Sequence, residues 1–90
     1  LYGKIVSSNG FITMPENEDE IEIKLDKTVH FFSFISDLTC LIYLNGDSDG
    51  IVVFGNIESP ITLKDIPVWK LKVKRDQIGG EMHFNYYGMY

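Results

Sequence analysis

Between Trp69 and Lys74 the chain alternates apolar and charged residues without a break: Trp69, Leu71 and Val73 against Lys70, Lys72 and Lys74. Only extended backbone sends successive side chains to opposite faces, so this segment is a strand with one buried and one wetted face. The pattern predicts Trp69, Leu71 and Val73 in the core and the three lysines in solvent. Met82, Phe84 and Tyr86 repeat it, as do Ile21, Ile23 and Leu25 around Glu22 and Lys24. No segment reads as a long amphipathic helix, which would bring residues three or four apart to one face.

Turn signals cut the rest of the chain into short pieces. Asn9-Gly10 is the favoured dipeptide of a type I′ turn, which predicts a hairpin between residues 4–7 and 11–14. Pro15 and the acids that follow it form a loop, and Asp26-Lys27 turns the chain. Residues 29–35 are nearly all apolar, β-branched or aromatic, the composition of a central strand buried on both faces, with His30 as a buried, hydrogen-bonded histidine. Residues 39–44 and 51–54 flank the polar loop 45–50. Residues 65–67 bend the chain between a short strand at 61–63 and the Trp69 strand, and residues 77–80 make the last turn. About eight short strands with turn signals every 8–12 residues predict an all-β fold, an antiparallel β-sandwich or small barrel of about 7–8 strands. Residues 1–90 read as a single domain, and a start at Leu1 instead of Met reads as a fragment or processed form of a longer chain.

A domain of this size buries a modest fraction of its surface, so its core needs large side chains. With 44% hydrophobic and 13% aromatic residues it has them, which excludes a disordered chain. Cys40 is the only cysteine, so no intrachain disulfide forms; set in the run Cys40-Leu41-Ile42, it reads as a buried small hydrophobe and not a nucleophile. A net charge of −5 argues against nucleic-acid and anionic-membrane binding, both of which need clustered cations. The charges are uneven along the chain. Glu16, Glu18, Asp19, Glu20, Glu22 and Asp26 crowd the first third, while Lys64, Lys70, Lys72, Lys74 and Arg75 supply five of the eight basic residues. Two such regions are either solvated strand faces or patches through which identical copies associate.

Chemistry is sparse. Asn45, Asp47, Asp49 and Gly50 fall at positions one, three, five and six of a calcium-type loop, but the first ligand is a neutral amide and the position of the closing glutamate holds Asn56. No metal site or cofactor is expected. His30 and His83 lie far apart and outside any Cys/His spacing, and the acids at 16–22 form a solvated run in which no carboxyl is pushed toward general-acid work. Trp69 faces away from the lysines by alternation, which removes the stacking platform of a single-strand binder. The expectation is a protein that is not an enzyme. The ending Tyr86-Tyr87-Gly88-Met89-Tyr90 is of the kind enriched at interfaces, and it marks Tyr86, Tyr87, Met89 and Tyr90 as candidate contact residues.

The second half, residues 39–90, resembles the small β-sandwich domains of tailed-bacteriophage virion proteins: head fibres, capsid decoration proteins and tail components. The resemblance lies in a hydrophobic strand ending in Asn45-Gly46, short strands at 51–54 and 61–63, the Trp69 strand, and an aromatic-Gly-x-aromatic finish. It implies a virion component that assembles with itself, a trimer favoured over a dimer, and with other virion proteins. The runner-up reading is a carbohydrate-binding module that recognises host surface glycan through tyrosines and a polar loop.

Overall fold

The computed structural model describes residues 3–56, 58–76 and 80–90, so the expected turn at 77–80 falls, but for Gly80, outside the described residues. The fold is all-β: among the described residues there is no helix, and seven strands form one antiparallel sheet. They are β1 (Ile5–Ser7), β2 (Ile12–Met14), β3 (Glu20–Ser36), β4 (Cys40–Leu44), β5 (Ile51–Val53), β6 (Ile61–Arg75) and β7 (Met82–Met89). The order is β1-β7-β3-β6-β4-β5, with β2 also on β7, and β1 does not meet β5, so the sheet stays open.

Two strands are long where short ones were expected. β3 runs 17 residues straight through Asp26-Lys27, and β6 runs 15 through Asp65 and Pro67. The turn signals are real, but they make bulges. Lys24 pairs with Lys70 and Val29 with Val68, so residues 25–28 all face Trp69. Val29 and Phe31 pair with Val68 and Lys64, so residues 65–67 all face His30, and Asp65 takes φ +60°. Each strand carries its surplus opposite the other's short side, and extra residues bend and twist a strand. Pro67, which cannot donate to a ladder, sits within such a bulge.

The corner divides the sheet into two halves that share one core. One half joins the start of β3 to the end of β6 and to β4 and β5; the other joins the end of β3 to the start of β6 and to β7. Ile42, Leu71 and Val73 from the first half and Phe32, Phe34 and Phe84 from the second belong to a single buried cluster. Phe34 stacks on Phe84 with ring centroids 5.5 Å apart. Gly88 lies against Val29: a Cβ there would come within 2.6 Å of Val29 Cγ2, so only glycine lets β7 cross at this level.

Three expectations are corrected. Trp69 is 44% exposed, because the bulge opposite it breaks the alternation: Val68 and Leu71, three positions apart, both face the core. Leu71 and Val73 are buried as predicted. Asn9-Gly10 does not close a hairpin. β1 and β2 both pair with β7, and Asn9 (φ +56°) and Gly10 (φ +119°) form a kink between them, braced by mutual hydrogen bonds of Ser8 with Tyr86. His30, expected buried, is half-buried. Leu71→Ala should therefore cost about 2–5 kcal/mol, against about 1–2 kcal/mol for Trp69→Ala with only half of its surface to lose. Equal losses in urea unfolding would contradict this register.

Candidate functional site

On the outer face of the β4-β6-β3 half, pairing sets side chains in rows. Tyr43 faces Lys72, which faces Glu22; Leu41 faces Lys74, which faces Glu20. Lys70 Nζ lies 2.9 Å from Glu22 Oε1, Lys72 Nζ lies 3.6 Å from Glu20 Oε2, and the same ammonium stands 4.8 Å from the centre of the Tyr43 ring. Acids and bases that are far apart in sequence are thus cross-strand neighbours within one chain. These partly exposed pairs are worth about 0.2–1 kcal/mol each. Glu20 and Glu22 are thus neutralised by lysines of the same chain, which weakens charge segregation as a reason for copies to associate.

Glu22, Tyr43, Gly46, Asp47, Lys70 and Lys72 line a shallow cleft of about 200 Å³ on this face. It presents both signs of charge around one phenol. Tyr43 is already in use: Lys72 approaches its ring, and the backbone of Gly50 packs so close that a Cβ would come within 2.9 Å of Cε2.

Asn45, read as a first calcium ligand, holds backbone instead. Its Nδ2 donates to the Pro67 carbonyl at 2.8 Å, and its Oδ1 accepts the Trp69 N–H at 2.9 Å. The side chain fills the place of a strand residue beside β6 at the corner. Asn45 (φ +58°) and Gly46 (φ +78°) turn the chain, and the Asp47 N–H donates to the Leu44 carbonyl at 2.9 Å. This is the geometry of a type I′ turn, the one expected at Asn9-Gly10. Among the described residues, no three His, Cys, Asp or Glu side chains are grouped to hold a metal ion.

Two further polar clusters brace the fold, and sequence pattern missed both. Arg75, counted with the basic stripe, is only 8% exposed. Its guanidinium donates to the carbonyls of Met14, Pro15, Glu18 and Gly80, at 2.7–3.3 Å, and so pins the acidic loop to the end of β6. Asp37 accepts the His83 N–H at 2.8 Å, and its other oxygen lies 2.9 Å from His83 Nδ1, tying the β3–β4 turn to β7. Alternation gives no hint of either, since both join segments remote in sequence. Cys40 is buried as expected, with Ser36 Oγ 3.7 Å from its sulfur. Burial raises its thiol pKa, against the lowering contact with Ser36.

The terminal aromatics divide. Tyr86 is buried in the core beside Phe32, with centroids 6.1 Å apart, and burial and nearby Asp26 raise its phenol pKa. Tyr87 is partly exposed on the other face, its ring 5.9 Å from Phe31. Met89 and Tyr90 are half-buried, and Lys27 Nζ stands 6.0 Å from the Tyr90 ring.

More apolar surface lies at the sheet's open edges. On β5 and just beyond it, Val52 is 51% exposed and Phe54 76%, with Ile51 also exposed, as is Leu38 in the β3–β4 turn. On the opposite edge Ile5 and Phe11 are exposed, on either side of the Asn9-Gly10 kink.

No protein-family model matches the chain, and no curated protein matches it.

Two outcomes follow. Asn45→Ala should lower stability by about 1–3 kcal/mol, since it strips a donor and an acceptor from the corner, and millimolar calcium should leave the melting temperature of the parent chain unchanged. Cys40 should resist thiol reagents until the chain unfolds. Because its folded pKa is raised, its contribution to stability is complete below about pH 9 and falls as pH rises beyond that.

Proposed function

We propose that this domain is a non-enzymatic structural and adhesive component of a tailed-phage particle, working by self-association and by contact with capsid or tail proteins. The virion assignment rests on the resemblance carried by residues 39–90. The observation that carries self-association is the β5 edge, where Val52, on a strand with a free side, and Phe54, just beyond it, stand more than half exposed. A sheet edge offers unpaired N–H and C=O groups, and natural edges are commonly guarded by short length, charge, proline or a bulge. β5 carries no charge, proline or bulge in Ile51, Val52 and Val53, and its three-residue length is its only guard. Tyr87 adds a further exposed aromatic, on β7. The polar clusters fit the same reading: Arg75, His83 with Asp37, and Asn45 each bind backbone.

The cleft beside Tyr43 favours a second reading, recognition of a glycan by a tyrosine and a polar loop. Sugar stacking needs an open aromatic face, and the approach of Lys72 to Tyr43 weighs against it.

Light scattering from micromolar to millimolar concentration tests the first reading. The weight-average mass of the chain should rise with concentration, and Phe54→Ser should suppress the rise. Because the ion pairs close within the chain, salt at 1 M, where screening acts beyond about 3 Å, should leave assembly nearly unchanged. A mass that stays monomeric throughout would defeat the assembly reading, and oligosaccharide binding lost in Tyr43→Ala would put the glycan reading in its place.

A further inference from the structure

The chain holds two Asn-Gly dipeptides, Asn9-Gly10 and Asn45-Gly46, and the fold treats them differently. Asparagine before glycine has an internal reaction open to it. The backbone nitrogen of the glycine can attack the Cγ of the asparagine carboxamide, and because both groups belong to one dipeptide the attack is intramolecular. Glycine has no side chain to obstruct it. Here the two nitrogens are equally open: a Cβ on Gly10 or on Gly46 would meet nothing within 4 Å, and both residues are exposed. Both asparagines also share the left-handed backbone, with φ +56° at Asn9 and +58° at Asn45. The difference lies in the carboxamides.

Asn45 is half-buried, and its carboxamide is fixed at both ends, Nδ2 on the Pro67 carbonyl at 2.8 Å and Oδ1 on the Trp69 N–H at 2.9 Å. Its Cγ cannot turn onto the Gly46 nitrogen without breaking both bonds. Asn9 is exposed. Among the described residues its Oδ1 accepts only the Ser7 hydroxyl, at 3.3 Å, and its Nδ2 bonds to nothing. That single contact leaves the carboxamide free to swing toward Gly10. It also sets a donor on the oxygen that gains negative charge during the attack.

We infer that Asn9 is a spontaneous modification site of the folded chain, converting through a cyclic imide to aspartate and isoaspartate, and that the corner spares Asn45. In the first step the bond from the Gly10 nitrogen to Asn9 Cγ forms and the Cγ–Nδ2 bond breaks. Nδ2 leaves as ammonia, its third proton replacing, through solvent, the one lost by the Gly10 nitrogen. Water then adds to one of the two imide carbonyls. Opening at one carbonyl restores the normal backbone with an aspartate at this position, and opening at the other leaves an isoaspartate, whose main chain runs through Cβ. Either product adds one negative charge to the parent's −5. Isoaspartate also lengthens the kink by one backbone bond between two strands that are both set on β7. β2 is the better anchored of these, since Arg75 donates to the carbonyls of Met14 and Pro15 at its end. The slack therefore falls on β1, a three-residue strand at the end of the sheet. This inference goes beyond the assembly reading and does not depend on it.

The second dipeptide serves as an internal control. The full chain is aged in neutral buffer at a temperature where it stays folded, and its peptides are mapped by mass spectrometry. The amide-to-acid mass gain should appear at Asn9, with Asn45 converting ~10–100-fold more slowly, the rate factor of breaking two hydrogen bonds before attack. In guanidinium chloride, where the corner is gone, the two asparagines should convert at similar rates. Asn9→Gln should remove the gain from the folded chain, because the longer side chain closes its ring far more slowly. Hydrogen exchange on the aged chain should show the Lys4 and Ser8 amides, which donate to the Tyr90 and Tyr86 carbonyls in the parent, losing protection while β2 keeps its own. Equal conversion of the two asparagines in the folded chain, or conversion of Asn45 first, would overturn the shielding by the corner. A folded Asn9 that stays intact while the unfolded chain converts at both positions would overturn the site. Conversion at Asn9 with the exchange of β1 unchanged would uphold the site and overturn the loosening of β1.

Discussion

Two strands of this sheet bend at the same level, and each does so by carrying extra residues where the other stays short. Residues 25–28 of β3 swing out opposite Trp69, and residues 65–67 of β6 swing out opposite His30. A flat sheet of this length would leave one apolar face in water. The paired bulges let β3 and β6 continue from one half of the sheet to the other, so that Leu71 and Phe84 belong to one core. The cost is a broken ladder at the corner, where backbone groups lose strand partners. Asn45 offsets part of it by giving Pro67 and Trp69 a side-chain substitute for a neighbouring strand. Gly88 admits Val29 at the same level.

The corner also decides which surfaces are free. It turns Trp69 outward, brings Lys70 and Lys72 beside Glu20 and Glu22, and leaves β5 as the outermost strand of its half. Part of the charge that looks segregated along the chain, Glu20 and Glu22 against Lys70 and Lys72, is neutralised on one face. Beyond Trp69, Ile66 and Tyr87, the exposed large apolar side chains among the described residues lie at the sheet's edges or in the β3–β4 turn.

Alternation made much of this readable. Ile21, Ile23, Leu71, Val73, Met82 and Phe84 show their faces in the sequence because a strand has a period of two, and the all-β class follows from them. Breaks in the alternation were not readable. Asp26-Lys27 and Asp65 to Pro67 carry the same residue types whether they end a strand or bulge within one, and only the partner strand decides between these. Asn9-Gly10 and Asn45-Gly46 are the same dipeptide with left-handed backbone in both places; one is a kink held by β7 and the other a tight turn. Trp69 departs from the alternation it shares with Leu71 and Val73 because the bulge opposite it lies on another strand. The site residues were the least legible part. Arg75 looks like a surface cation until the carbonyls of Met14, Pro15, Glu18 and Gly80 converge on it, and nothing near Asp37 in sequence announces His83.

The continuity of β3 and β6 through the corner is the claim on which the rest stands, and cross-strand backbone contacts in solution NMR test it most directly. Backbone NOEs should join Ile23 to Leu71 on one side of the corner and Phe32 to Leu63 on the other, with the Trp69 amide protected from exchange by Asn45. Contacts on one side only, together with a Trp69 amide that exchanges as freely as an exposed loop, would mean that the strands end where the turn signals first suggested and that the sheet does not fold over a common core.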